Sequence, residues 1–206
     1  MNKKAEIIGE FAANAAGPVH GVTFDGQHVW AATGTHVRAF DPVDGAEKRA
    51  LPVAAHAGTA FDGQHLFQIA NDVIQKVDPA TGAVVATLPA PGGGTDSGLA
   101  WADGFLWVGQ YRGRRIVQID PSSGATIRVI ATKRFVTGVT WVDGQLWHGY
   151  SDDGSGGLAR IDPDTGADLA TLDMPGMSVS GLESDGGDRF YCGGGNSGLV
   201  RIVRRG

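Results

Sequence analysis

GLAWADGFLWVGQYRGRRIVQIDPSSGATIRVI, residues 98–130, reads as one complete structural unit. A short apolar run opens it. An Asp-Gly pair, Asp103–Gly104, follows and is a strong hairpin signal, because both residues tolerate φ > 0. A second strand carries an aromatic, Trp107, and leads into a polar loop. A third strand alternates around Ile116, Val117 and Ile119. In the next turn, Asp120-Pro121-x-x-Gly124, proline presets φ and glycine permits φ > 0. A fourth, weakly alternating strand closes the unit. No stretch shows sustained helical periodicity.

The same line begins again at Gly21 (GVTFDGQHVWAATGTHVRAFDPVDGAEKRAL), at Gly58 (GTAFDGQHLFQIANDVIQKVDPATGAVVATL) and at Gly138 (GVTWVDGQLWHGYSDDGSGGLARIDPDTGADLATL). Its Asp-Pro pairs start at Asp41, Asp78, Asp120 and Asp162. A period of roughly 40 residues with four antiparallel strands per unit is the signature of a β-propeller. A fifth unit, GLESDGGDRFYCGGGNSGLVRIVRRG from Gly181, has only three strands. AEIIGEF (Ala5–Phe11) aligns with the fourth strand of another unit, Ile7 on Val84, Ile8 on Val85 and Phe11 on Leu88. The expected fold is therefore all-β: a five-bladed β-propeller forming one domain over residues 1–206. Its blades cover about 21–56, 57–96, 97–136, 137–179 and 180–206, the last completed by 5–11. That closure removes the edges that an open array would expose.

Composition narrows the function classes. The 33 glycines far exceed the average share of roughly 7% and fit a turn-rich chain. A net charge of -5 leaves no broad basic footprint, so no nucleic acid partner is expected. The single cysteine, Cys192, rules out an intrachain disulfide and reads as a buried thiol rather than a nucleophile. No apolar run approaches the roughly 20 residues of a membrane span. Glu6, Glu10 and Asn14 interrupt the stretch after Lys3 and Lys4, so no signal-peptide core forms. The expectation is a soluble, cytoplasmic monomer with no membrane partner.

What recurs carries the fold, and what departs from the repeat carries function. Trp30, Trp101, Trp107, Trp141 and Trp147 recur and are expected to pack between blades. Asp41, Asp78, Asp120 and Asp162 are turn residues, with no calcium-type ligand run around them. Propellers usually place ligands at the channel mouth, where the D-to-A connectors and B-to-C loops meet. The connectors supply His20, His56, Asp96 and Arg134. The loops supply His36, Asn71, Asp72, Tyr111, Arg112, Tyr150, Asp152, Asp153 and Asn196, with His148 beside Tyr150. One inner-strand position reads Thr23, Ala60, Ala100, Thr140, Glu183. A carboxylate bordering the channel there would be partly desolvated, with a raised pKa suited to acid–base work. The competing reading is a solvated glutamate or one bonded to nearby backbone amides. His20 and His56 with Glu183 or Asp96 form a conceivable divalent-metal set. Their offsets from the next glycine differ by one residue, and no HxH or HExxH spacing is present, so no cofactor is expected.

SGLESDGGDRFYCGGGNSGLVRI and SGLAWADGFLWVGQYRGRRIVQIDPSSG resemble the plant-type and bacterial glutamine cyclotransferases. Those carry T-Q-G-L-E, D-G-x-L-Y, a Gly-Tyr-Gly-Ser loop and L-R-x-V-D-x-x-T-G. The resemblance implies a five-bladed propeller that cyclises N-terminal glutamine with loss of ammonia. Gly181, Leu182 and Glu183 match G-L-E, so it also implies Glu183 as the proton-transfer group. Ser180 stands where that motif has glutamine, and Cys192–Gly193 replace its Glu-Ser. The "DG..LW" and "IDP.TG" style also resembles streptogramin lyase, SMP-30-like and YncE-like propellers. Two functions follow as expectations. One is a small cyclase- or lyase-like enzyme, with Glu183 as acid/base and His20, His56, Tyr111 and Tyr150 orienting substrate. Asp96, Arg112, His148 and Asn196 complete its candidate lining. The alternative is a non-catalytic propeller that binds a small molecule or peptide on the face carrying Tyr111, Arg112, Tyr150 and Asp152.

Overall fold

A computed structural model describes residues 2–15, 17–152 and 155–205, with Asn2 and Asp152 described by backbone alone. Two strands come first, β1 (Asn2–Lys4) and β2 (Glu6–Ala12). Blade 1 follows as β3 (Gly21–Phe24), β4 (Val29–Ala32), β5 (Val37–Phe40) and β6 (Glu47–Leu51). Blade 2 is β7 (Thr59–Phe61), β8 (Leu66–Ala70), β9 (Val73–Val77) and β10 (Val84–Pro89). Blade 3 is β11 (Asp96–Ala102), β12 (Phe105–Gln110), β13 (Arg115–Ile119) and β14 (Thr126–Ala131). Blade 4 is β15 (Val136–Val142), β16 (Gln145–Asp152), β17 (Ser155–Ile161) and β18 (Asp168–Pro175). Blade 5 is β19 (Gly181–Ser184), β20 (Arg189–Gly193) and β21 (Leu199–Arg204), and β2 supplies its outer strand.

The five-bladed reading holds, and so does the register of its closing strand. β2 runs antiparallel to β21, with Ile7 opposite Val203 and Phe11 opposite Val200. The register slips by one residue at Ile8, just as it slips at Val85 in β10. Lys48, Ile127 and Leu169 are the bulged residues of the other outer strands. A bulge turns one side chain off the ladder, so Ile8, Val85, Ile127 and Leu169 are exposed although apolar. β1 was not anticipated. It adds to blade 4, parallel to β18, with Lys3 opposite Leu172. Three residues with two lysines carry no strand pattern of their own, and the neighbouring edge imposes the conformation.

The recurring aromatics pack between blades, as their recurrence implies. Each stacks a β-strand aromatic on one from the following blade: Phe67 on Trp101 at 5.5 Å and Trp107 on Trp141 at 4.9 Å. At the junction of blades 4 and 5 the inner-strand aromatic is replaced by Ser184, and Phe190 takes its place 5.0 Å from Trp147. Tyr191 meets Phe24 at 5.3 Å at the junction of blades 5 and 1, and at the junction of blades 1 and 2 Phe61 packs against the cluster that buries Trp30. The turn aspartates are likewise structural. Asp120 Oδ1 accepts hydrogen bonds from the amides of Ser122 and Ser123 and from the Ser122 hydroxyl, and these hold its pKa down at about 2.

The centre of the molecule is set by five glycines, one per blade. A Cβ on Gly21 would lie 2.8 Å from Gly58 Cα, one on Gly98 2.9 Å from Gly138 Cα, and one on Gly181 2.7 Å from Gly21 Cα. Gly58 and Gly138 meet the backbones of Gly98 and Gly181 in the same way. The inner strands thus touch backbone to backbone in a closed ring. None of these five has a positive φ, so close approach alone requires glycine here.

Candidate functional site at the channel mouth

The residues just before the ring glycines are His20, Ala57, Ser97, Thr137 and Ser180, and all five line one cavity of about 350 Å³. His56, Asp96 and Tyr111 join them, as do Ser151, Ser178 and Val179. The glycine ring therefore lies directly beneath this cavity. Of the residues singled out from sequence, His20, His56, Asp96 and Tyr111 come together here.

Each is held by its neighbours. Asp96 is buried where β11 starts; its Oδ2 accepts from the Gly92 amide at 2.9 Å and its Oδ1 from Gln110 Nε2 at 3.0 Å. Burial outweighs those two bonds and raises its pKa. Partial burial, reinforced by the nearby His56, lowers the pKa of His20. The Ser97 hydroxyl donates to the Gly109 and Val136 carbonyls, and the Ser180 hydroxyl to Val19 O. Tyr111 stacks on Phe135 at 4.8 Å. Both shifts are toward the neutral forms, and the cavity is rich in hydrogen-bonding groups.

Glu183 sits two residues beyond Gly181, on the other side of the ring from this cavity, and does not line it. Its Oε2 accepts from the Thr23 hydroxyl at 2.8 Å. Its Oε1 accepts from the Thr140 hydroxyl at 2.5 Å and from the Ser184 amide at 2.9 Å. Thr23, Ala60, Ala100 and Thr140 surround it and are all buried. The residue is half-buried overall, while protein encloses its carboxylate and raises its pKa. The three hydrogen bonds oppose that shift without cancelling it. Both sequence readings of Glu183 are thus met in part: it is desolvated, and it is bonded to a backbone amide. Neither His20 nor His56 is among its bonding partners.

A raised carboxyl pKa has a definite consequence for stability. The stabilisation is fully present below the unfolded-state pKa and is lost as pH rises through the higher folded-state value. A neutral Glu183→Gln should therefore show little difference in Tm from the parent at acid pH and a gap of several degrees in its favour at pH 8. Parallel melting curves across that range would show that Glu183 is not desolvated.

The remaining candidates lie elsewhere. Tyr150 is in β16, not in a loop; it is buried, and its hydroxyl donates to Asp173 Oδ1 at 2.6 Å. The Arg134 guanidinium lies 4.2 Å from its ring centroid and also pairs with Asp168. His148 is fully buried, with Nδ1 2.9 Å from Gly149 O. Arg112 and Asn196 are exposed and do not line the cavity, and neither do His36, Asn71 or Asp72. The Asp152 side chain and Asp153 lie outside the described residues. Among the described residues no group of three or more His, Cys, Asp or Glu side chains is placed to hold a metal ion. Cys192 is buried, and desolvation pushes its thiol up to about 12, which makes it unreactive at neutral pH. Sequence reasoning missed Ser97, Thr137 and Ser180, although each precedes a recurring glycine and could have been found from that spacing.

No protein-family model matches the chain, and no curated protein matches it in sequence. Solved structures do match its fold. A Myxococcus xanthus glutaminyl cyclase superposes with a TM-score of 0.81 at 17% identity, over 98% of this chain and 97% of that one. A chain of a mitotic checkpoint complex gives 0.57 at 14% identity, over 91% of this chain and 64% of that one. Hydrazine synthase from Kuenenia stuttgartiensis gives 0.55 at 18% identity, over 90% and 58%. The chain is a five-bladed β-propeller built like the glutaminyl cyclase from end to end, and at these identities the likeness speaks for the fold alone.

Proposed function

We propose that the protein binds a small polar molecule or a peptide end in the mouth cavity, through the hydrogen-bonding groups of His20, His56, Asp96 and Tyr111. The observation that carries this reading is their convergence on one cavity directly above the glycine ring. A donor- and acceptor-rich pocket suits an amide- or amine-bearing ligand, whose polar groups exchange water for protein partners. Titration with a peptide bearing N-terminal glutamine should shift the imidazole resonances of His20 and His56 saturably. Asp96→Asn or His20→Ala should weaken that binding about tenfold, in line with the loss of one charged or buried hydrogen bond. Shifts confined to residues outside the cavity would refute the assignment.

A second reading is glutaminyl-cyclase-like catalysis. It is favoured by the likeness in fold and by the desolvated Glu183 carboxyl. In that reaction the peptide's amine nitrogen attacks its own side-chain amide carbon, the C–N bond to the amide nitrogen breaks, and a proton passes to the departing ammonia. Glu183 would carry that proton. Ammonia release from the same peptide should then fall by at least about 100-fold in Glu183→Gln, the usual contribution of a positioned acid–base group. Release that is absent from the parent protein, or unchanged in the variant, sinks the catalytic reading and leaves the binding assay to stand by itself.

A further inference from the structure

The seam between blades 4 and 5 lacks a bridge that two other seams carry. At the seam of blades 1 and 2, Arg49 on the outer strand donates to Pro79 O at 2.7 Å and Ala80 O at 2.8 Å, tying down the next blade's Asp-Pro turn. At the seam of blades 3 and 4, Arg128 reaches Pro163 O in the same way. The corresponding residue of blade 4 is Ala170, and blade 5 has no Asp-Pro turn, because Arg204 and Arg205 follow Val203 there. The bridge is missing there, and a cavity of about 350 Å³ lies at this seam.

Its lining is basic. Lys3, Arg160 and Arg205 contribute three cations against one carboxylate, Asp143, which already pairs with Arg205 Nη2 at 2.6 Å. The walls also carry hydrogen-bonding atoms that are closed off from water and have no partner: Trp147 Nε1, Thr171 Oγ1, Arg160 Nε and Arg205 Nη1. Trp147 is 5% exposed and Thr171 3%. An unsatisfied buried donor costs about 1–3 kcal/mol, and folded proteins carry few of them. Four such atoms lie in the walls of one basic cavity, whose charge suits an acceptor-rich anion.

We infer that this seam cavity is a binding site for an oxyanion, the phosphate or carboxylate of a small molecule. It lies against the A–B hairpin tip of Asp143, at the end of the blades opposite the mouth cavity, and is independent of the function proposed there. Arg160 and Arg205 supply charge, and Trp147 and Thr171 supply the neutral donors. Lys3 reaches the site only because β1 docks on β18, so the strand that sequence did not foretell has a task.

The test is an NMR titration of the full chain with inorganic phosphate and, separately, with acetate, each at constant ionic strength set by chloride. The reporter is the Trp147 indole N–H resonance, assigned through Trp147→Phe. A saturable shift with either anion and not with chloride is expected, and which anion saturates first identifies the group recognised. Arg160→Met keeps the aliphatic stem and removes the charge, and it should weaken binding at least tenfold. Thr171→Val is nearly isosteric and should weaken it about threefold; it keeps the test open if Arg160→Met fails to fold. No shift with either anion, the same shift with chloride, or undiminished binding in the folded variants would overturn the assignment.

Discussion

Alanine at Gly138 is expected to destabilise the protein by about 3 kcal/mol, the upper end of ordinary overpacking. For a chain of this size that is a fall in Tm of roughly 6–12 °C. The added Cβ would sit 2.5 Å from Leu182 N and 2.7 Å from Gly181 C. Those are backbone atoms of the adjacent blade, and no rotamer change can move them. In an ordinary strand conformation the same substitution should stabilise by about 0.5–1 kcal/mol, because alanine loses less freedom on folding. The sign of the effect therefore separates the two accounts of this glycine. Gly144→Ala is the control: φ there is +70° and nothing lies within 4 Å of the added methyl, so only the left-handed backbone penalty of about 1–2 kcal/mol applies. If Gly138→Ala melts within a degree or two of the parent, the blades do not touch at the centre as described.

The glycine ring also marks where sequence reading succeeded and where it stopped. Gly21, Gly58, Gly98, Gly138 and Gly181 were legible as the first residue of every repeat, which located the blades. Their mutual contact was not legible, because it lies between units some 40 residues apart and leaves no local pattern. The closing strand was legible for the opposite reason. Its match to β10 is a pattern within one strand, and the shared bulge at Ile8 and Val85 shows that the match extends to backbone geometry. β1 had no such pattern, since docking on β18 rather than its own side chains makes it a strand.

The candidate site was half legible. His20, His56, Asp96 and Tyr111 depart from the repeat and converge at the mouth. Tyr150 and His148 depart from it equally but serve packing. A departure signals that a position is special without saying which way its side chain points. Tyr150 faces the interior because strand β16 continues through what looked like the start of a loop. Glu183 stands out in sequence as the carboxylate among small residues. Its separation from the mouth histidines follows from the two-residue step across the ring, which needed the ring itself to be seen. The basic seam cavity was invisible from sequence, because Lys3, Arg160 and Arg205 come from three distant parts of the chain.

Deleting residues 1–12 is expected to abolish cooperative folding, or to lower Tm by more than 20 °C. Removing β2 strips the outer strand from β21 and leaves that strand as an open edge. It also takes away Phe11, which packs 5.4 Å from Phe40 of blade 1, and uncovers Val200 and Val203, both fully buried now. Each large apolar side chain withdrawn from burial costs about 1.5–3 kcal/mol. A handful of them approaches the 5–15 kcal/mol by which such a domain is stable at all. The ion pairs lost at the same time, Arg201–Glu10 at 3.6 Å and Arg204–Glu6 at 3.0 Å, involve exposed glutamates and add little. A shorter deletion of residues 1–4 separates the two N-terminal strands. It removes only β1 from the edge of blade 4 and should cost a few degrees while leaving a cooperative transition. Adding back the excised segment as a synthetic peptide should restore the melting transition of the longer deletion, because the site it occupies is a strand-shaped gap between β21 and blade 1. Calorimetry of the three forms, with and without the peptide, decides the matter: a 1–12 deletion that melts like the parent would mean that β2 closes nothing.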